Sequence, residues 1–277
     1  MCDKIDAHRF EMQPIVVPVE HLIRVEKCRQ SAIAAAESLS DNLHLWQFDL
    51  EHHRDYNPDV CSEAERCRAK RFAALRDGTS FLKSRALVRQ VLGAYSGIPA
   101  RQIEIALLKG GKPAMLGCPL SFNISHSGTQ LVIAIRSTGL VGVDIQEVKQ
   151  VQDLLELARS VFDPMEVRFL EGLLHRDRQS NFFRLWVCRE AVLKTVGVGF
   201  EGRGLALQQD SDENYHVFAR PTGWGKIGIA EFAGPLGFLG AIAWSPTAAG
   251  LKIHHFLVNY AQDLLGGVDK LAHPQAD

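Results

Sequence analysis

Apolar and polar positions change period several times along the chain, and each change marks an element. Leu43 to Leu50, LHLWQFDL, places Leu43 and Leu45, then Phe48 and Leu50, in alternation with one slip in phase, and reads as a strand opening the folded body. Ser62-Glu63-Ala64-Glu65 is a capping box, so a helix starts there and carries Arg66, Arg68, Lys70 and Arg71. A second helix runs from about Thr79 to Tyr95 on Leu82, Leu87, Val88, Val91 and Leu92, and stops near Gly97 and Pro99. Ile103 to Leu107 reads as a strand, Gly110 to Pro113 as a turn, and Leu120 to Ser125 with Leu131 to Ile135 as a hairpin with His126-Ser127-Gly128 at its tip. The strand from Leu140 to Gln146 puts Asp144 and Gln146 on one face. Further strands are predicted near 216–219, 227–232, 237–244 and 251–258. Residues 1 to about 40 read as an extension, partly disordered, and Leu264 to Asp277 as a loose tail.

The most informative stretch is FFRLWVCREAVLKTVGVG, Phe182 to Gly199. On a helical wheel Leu185, Cys188, Val192, Leu193 and Val196 form a broad apolar arc, Glu190 and Lys194 share another face, and Gly197 and Gly199 close the helix. A Glu four residues before a Lys is ordinarily a surface pair worth roughly 0.2–0.5 kcal/mol. Here Trp186 flanks the pair, and Arg189 falls inside the apolar arc, where a guanidinium must snorkel outward or meet an anion.

An internal echo connects this helix to the earlier one. A shift of 101 positions lays Ser62 on Asp163, Glu65 on Glu166, Phe81 on Phe182, Lys83 on Arg184, Val91 on Val192 and Leu92 on Leu193, with no gap across about 30 residues. The same frame sets Arg89 opposite Glu190. Two similar halves would then offer a cation from one helix and a carboxylate from the other, which suits a phosphate bound with a metal in a cleft between them.

Composition narrows the setting. The chain has 277 residues, 46% hydrophobic and 23% charged, as in an ordinary soluble protein with about two domains. A formal net charge of −1 gives no overall bias towards nucleic acid or anionic membrane, so an anion site must be local. Cys2, Cys28, Cys61, Cys67, Cys118 and Cys188 show no metal spacing and are expected to stay reduced. No apolar signal core opens the chain, no stretch reaches the roughly 18 apolar residues of a membrane span, and the compartment implied is the cytoplasm.

Several chemistries can be weighed from residue types. Ser125 or Ser127 with His126 as base is disfavoured, because adjacent residues of an extended chain point apart and no G-x-S-x-G elbow is present. GGKP lacks the spacing of a phosphate loop and opens no helix. Magnesium-assisted phosphate chemistry fits better: Asp144 and Glu190 supply two hard carboxylates from different elements, while Lys112, Arg89, Lys194 and His126 would neutralise the remaining phosphate charge.

Taken in order, GKP at 111–113, FNISHS at 122–127, GVDI at 142–145 and W-x-x-R-E-A-x-x-K-x-x-G-x-G from Trp186 to Gly199 resemble the Sfp-type 4′-phosphopantetheinyl transferases, over a span from about Leu43 to Ala248. The resemblance implies an α+β monomer of two similar α/β halves, each a small mostly antiparallel sheet packed with helices. Residues 43–139 would bind coenzyme A, 140–260 would carry the metal and the catalytic helix, 1–42 would be an N-terminal extension and 261–277 a tail. It implies Mg²⁺ as cofactor, coenzyme A as substrate and an apo acyl or peptidyl carrier protein as partner, with no nucleic acid or membrane. By position, Asp144 and Glu190 would hold the metal, with Glu190 or a metal-bound water taking the serine proton and Lys194 stabilising charge on the phosphates. Lys112, Ser125 and His126 match positions that hold coenzyme A phosphates, and Arg89 and Arg68 match basic positions around its adenosine end. Arg189 stands where Lys is usual. Gln146 replaces a commoner Glu, so this third metal position would ligate weakly or through water. That replacement also supports an alternative, a non-catalytic protein that only binds coenzyme A or carrier proteins. The stretch from Val148 to Arg178, with Phe162 and Met165, is the expected carrier-facing surface.

Overall fold

The computed structural model describes residues 22–23, 39, 42–52, 56–108, 110–198, 204–246 and 251–258. Most of the predicted extension, the loose tail, Gly199, Cys2 and Cys28 lie outside these residues. Among the described residues no helix is long and apolar enough to cross a membrane.

The first half is built on strands β1 (Leu22–Ile23), β2 (Leu43–Asp49), β5 (Ser121–Ser127) and β6 (Gln130–Arg136), joined by β12 (Ile253–Val258) in the order β1-β12-β2-β6-β5. β5, β6 and β2 pair antiparallel, whereas β12 runs parallel to β2. Helices α1 (Glu63–Ala69) and α2 (Leu75–Ser96) and a small hairpin, β3 (Ile105–Leu107) with β4 (Pro113–Met115), complete it. β2 is not out of phase, as its apolar pattern suggested. Both of its faces are buried: Trp46 and Phe48 pack with Leu87 and Val91 of α2, while Leu43 and Leu45 meet the second sheet. Two apolar faces blur the period of two that a half-exposed strand would show.

The second half contains β7 (Leu140–Glu147), α3 (Leu154–Val161), α4 (Pro164–Gly172), α5 (His175–Val196), a hairpin of β8 (Ala206–Gln209) and β9 (Tyr215–Ala219), β10 (Gly228–Ala233) and β11 (Phe238–Ser245). β10, β11 and β7 form an antiparallel sheet that supports α5. The α+β architecture of two similar halves is as expected. Both capping boxes close, with Ser62 Oγ accepting from the Glu65 amide and the Glu166 carboxylate accepting from the Asp163 amide. α2 and α5 each have 22 residues and each ends on a left-handed glycine, Gly97 or Gly197. Both start earlier than predicted, because their first turns are too polar to show an apolar face. The β5–β6 hairpin turns at Gly128-Thr129, so His126 and Ser127 belong to the strand and not to its tip.

Candidate active site

α5 can lie against β7 because position 142 is glycine. A Cβ there would stand 2.2 Å from the Ala191 carbonyl oxygen and 2.4 Å from the Thr195 amide. Thr195 reinforces the approach, its hydroxyl donating to the carbonyls of Ala191 (2.8 Å) and Ala243 (3.0 Å). This contact brings the polar face of α5 beside Asp144, two residues along β7.

Asp144 is buried, at 1% exposure, and both carboxylate oxygens are held. Oδ1 accepts from Lys194 Nζ at 2.6 Å and from Ser125 Oγ at 2.7 Å, and Oδ2 accepts from Gln146 Nε2 at 3.2 Å. Lys194 Nζ also reaches Ser125 Oγ at 3.1 Å. Asp144, Gln146, Ser125 and Lys194 therefore form one cluster spanning both halves. Glu190, one helical turn before Lys194, belongs to the same electrostatic group. Its pKa is raised, first by burial and then by the charge of Asp144, with Lys194 and Arg189 opposing. His126 senses the cluster too, its pKa lowered by desolvation and by Lys194 against the opposing pull of Asp144.

Other predicted residues stand elsewhere. Lys112 ties the β3–β4 hairpin to the end of α5, donating at 2.8 Å to the carbonyls of both Val141 and Thr195. Burial lowers its pKa to about 8. Gly110 permits that docking, since a Cβ there would fall 1.9 Å from the Gly197 carbonyl oxygen. Arg68 is exposed and lies over the Phe81 ring at 5.0 Å. Arg89 is buried and committed to its own half: Nε donates to Glu65 at 2.7 Å and Nη1 to the Ile103 carbonyl at 2.7 Å. Arg189 repeats that arrangement, donating to Glu166 at 3.2 Å and to the Leu205 carbonyl at 2.9 Å. Its guanidinium thus meets an anion, one of the two outcomes its place in the apolar arc allowed. By contact the counterpart of Arg89 is Arg189 and not Glu190: the shift is 101 at the capping boxes but 100 along the two 22-residue helices, from Leu75 and His175 to Gly97 and Gly197.

Sequence reasoning missed Glu166 as the anchor of Arg189, and missed Asn123 as a contact of β7. Glu166 carried a signal in its alignment with Glu65. Asn123 carried one in the polar alternation of Asn123, Ser125 and Ser127, which a strand edge facing solvent would show equally.

The donor chemistry suits a hard divalent cation. Asp144 and Glu190 are close enough for the charge of one to raise the pKa of the other, a repulsion that a cation relieves. Among the described residues no three His, Cys, Asp or Glu side chains gather as a self-sufficient metal site. Mg²⁺ needs only one or two carboxylates besides phosphate oxygens and water, so these residues fit a site completed by substrate.

The family described as 4′-phosphopantetheinyl transferase superfamily matches residues 140–223, and 4′-phosphopantetheinyl transferase, N-terminal, matches residues 46–138. The 4′-phosphopantetheinyl transferase HetI of Nostoc sp. is 34% identical over 169 residues, 58% of this chain and 71% of its own length. The chain belongs to the 4′-phosphopantetheinyl transferase family. This transferase is also similar to 4′-phosphopantetheinyl transferase Sfp of Bacillus subtilis, 32% identical over 53% of this chain and 62% of the relative. Likeness to 4′-phosphopantetheinyl transferase AcpT of Salmonella typhimurium is 33% over 43% of this chain and 58% of the relative. The match thus spans less than two thirds of the Sfp and AcpT proteins. The boundary between the two family matches falls in the turn from β6 to β7, where the transferase passes from one sheet to the other.

Proposed function

We propose that the protein transfers the 4′-phosphopantetheine arm of coenzyme A to a serine hydroxyl of an apo acyl or peptidyl carrier protein, acting as a cytoplasmic monomer with Mg²⁺. The observation that carries this reading is the cluster of Asp144, Glu190, Lys194 and Ser125, assembled from both halves within a phosphopantetheinyl transferase fold. Asp144 and Glu190 would hold the metal, with Gln146 as a weak third donor. When bound, the ion supplies charge neutralisation at the phosphates.

The chain's own residues have distinct tasks in this reading. The serine oxygen bonds to the phosphorus of the phosphopantetheine phosphate, the bond from that phosphorus to the bridging oxygen breaks, and adenosine 3′,5′-bisphosphate leaves. Glu190 accepts the serine proton. Lys194 stabilises the charge that gathers on the leaving phosphate. Ser125 holds Lys194 and Asp144 at a common point. His126, exposed on the same strand, would face the coenzyme's phosphates.

Intact-mass spectrometry of an apo carrier protein incubated with the protein and coenzyme A tests the reading. A gain of one phosphopantetheine arm, abolished by chelation of Mg²⁺ and by Glu190→Gln with the fold retained, is the expected result. Full activity in Glu190→Gln would remove the proposed base. No gain on fatty-acid and peptide-synthesis carriers, with coenzyme A still bound, would favour the non-catalytic alternative.

A further inference from the structure

The two halves meet along β5 and β7 without a backbone ladder. On the edge of β7 away from β11, alternate amides donate to side chains of alternate β5 residues. Val143 N–H reaches Asn123 Oδ1 at 3.0 Å, Ile145 N–H reaches Ser125 Oγ at 3.4 Å, and Glu147 N–H reaches Ser127 Oγ at 3.0 Å. Asn123 and Ser125 are themselves buried. Side-chain oxygens thus take the place of strand carbonyls. A ladder would hold the strands about 4.8 Å apart, whereas a side-chain spacer sets them further apart and leaves room along the seam for carboxylate and ammonium groups.

Asp144 sits between the first two of these rungs. The backbone on either side of it, at Val143 and Ile145, is fixed by Asn123 and Ser125 of the other half, and its carboxylate is fixed by the same Ser125. We propose that Asn123 and Ser127 are positioning residues, which with Ser125 form a seam that sets Asp144 against Lys194 from across the two halves. The proposal rests on the transferase reading for its effect on rate. It goes beyond that reading in giving Asn123 and Ser127 a role, as acceptors for the backbone of β7.

The test uses Asn123→Ala, Ser127→Ala and the hydroxyl-retaining Ser127→Thr in the full chain. Amide hydrogen exchange at Val143, Ile145 and Glu147 is followed by NMR without ligands, together with kcat, coenzyme A affinity by calorimetry and Tm. Displacement of a reacting group by about 1 Å costs on the order of 100-fold. The alanine variants should therefore lose about tenfold or more in kcat with coenzyme A affinity within about twofold of wild type, and Ser127→Thr should recover the rate. Faster exchange should reach Ile145, the rung beside Asp144. Unchanged kcat, or kcat, affinity and Tm falling together, would overturn the positioning role. Wild-type protein that modifies no carrier would sink the proposed function instead. Exchange would then decide the seam alone, and loosening confined to the substituted rung would refute it.

Discussion

Replacing Gly142 with alanine isolates the contact that brings α5 to β7. The new methyl would begin 2.2 Å from the Ala191 carbonyl oxygen and 2.4 Å from the Thr195 amide, both of them backbone atoms of a helix that cannot rotate away like a side chain. Reaching even 3.0 Å, the practical limit for such a contact, requires helix and strand to part by about 0.8 Å. Lys194 lies on the affected turn, and its 2.6 Å bond to Asp144 spans the widened interface. A lengthening of that size takes the pair to the edge of hydrogen-bonding distance. Overpacking of this kind costs about 1–3 kcal/mol of stability, and a misplacement approaching 1 Å costs on the order of 100-fold in rate. Denaturant unfolding and carrier modification on one Gly142→Ala preparation read both quantities. A variant with wild-type midpoint and wild-type kcat would show that the close approach does not set the geometry of the cluster.

Two further predictions concern stability. Burial, with the charge of His254 adding to it, pushes the pKa of His44 down to about 3, and burial alone pushes that of His255 down to about 4. In the unfolded chain both take a proton below about 6.5, so their stability is intact above that pH and is lost as pH falls towards the folded values, at about 2 kcal/mol each between pH 6.5 and 5. Urea unfolding across that interval should show the loss, and a His44→Phe/His255→Phe variant should have a flatter slope; an equally steep slope would contradict the assignment. Glu166→Ala leaves Arg189 and the amides of Asp163 and Leu207 without their shared acceptor and should cost about 3 kcal/mol, whereas Glu63→Ala on an exposed first turn should cost under about 0.5. Equal costs would mean that the buried acid is not an anchor.

The residues of the site were legible because each sits in a pattern that packing alone does not ask for. Glu190 and Lys194 share a face beside the apolar arc of α5, and Asp144 interrupts a buried strand. The partner of Arg189 was legible only as one of two outcomes, a head snorkelling outward or some anion. That anion, Glu166, lies 23 residues away on a different helix, and the chain alone does not say which of several carboxylates turns inward. The seam was hidden for a related reason. A strand with alternating polar residues ordinarily faces water, and no local signal tells that Asn123, Ser125 and Ser127 face another strand's amides. β8 and β4 went unread because strands of three or four residues are too short to establish a period.

β12 gives the first sheet a member drawn from the far end of the described chain. It runs parallel to β2 and buries Phe256 and Val258 in the core beneath α2. During synthesis, therefore, the first half leaves the ribosome with one edge of its central strand open, and that edge stays open until Val258 has been made. Separate expression of the two halves would leave each with the wrong inventory: one sheet short of a strand, and the other carrying a strand with no edge of its own to join. A stop codon between Ser245 and Ile253 would spare every strand of the second sheet and injure the first.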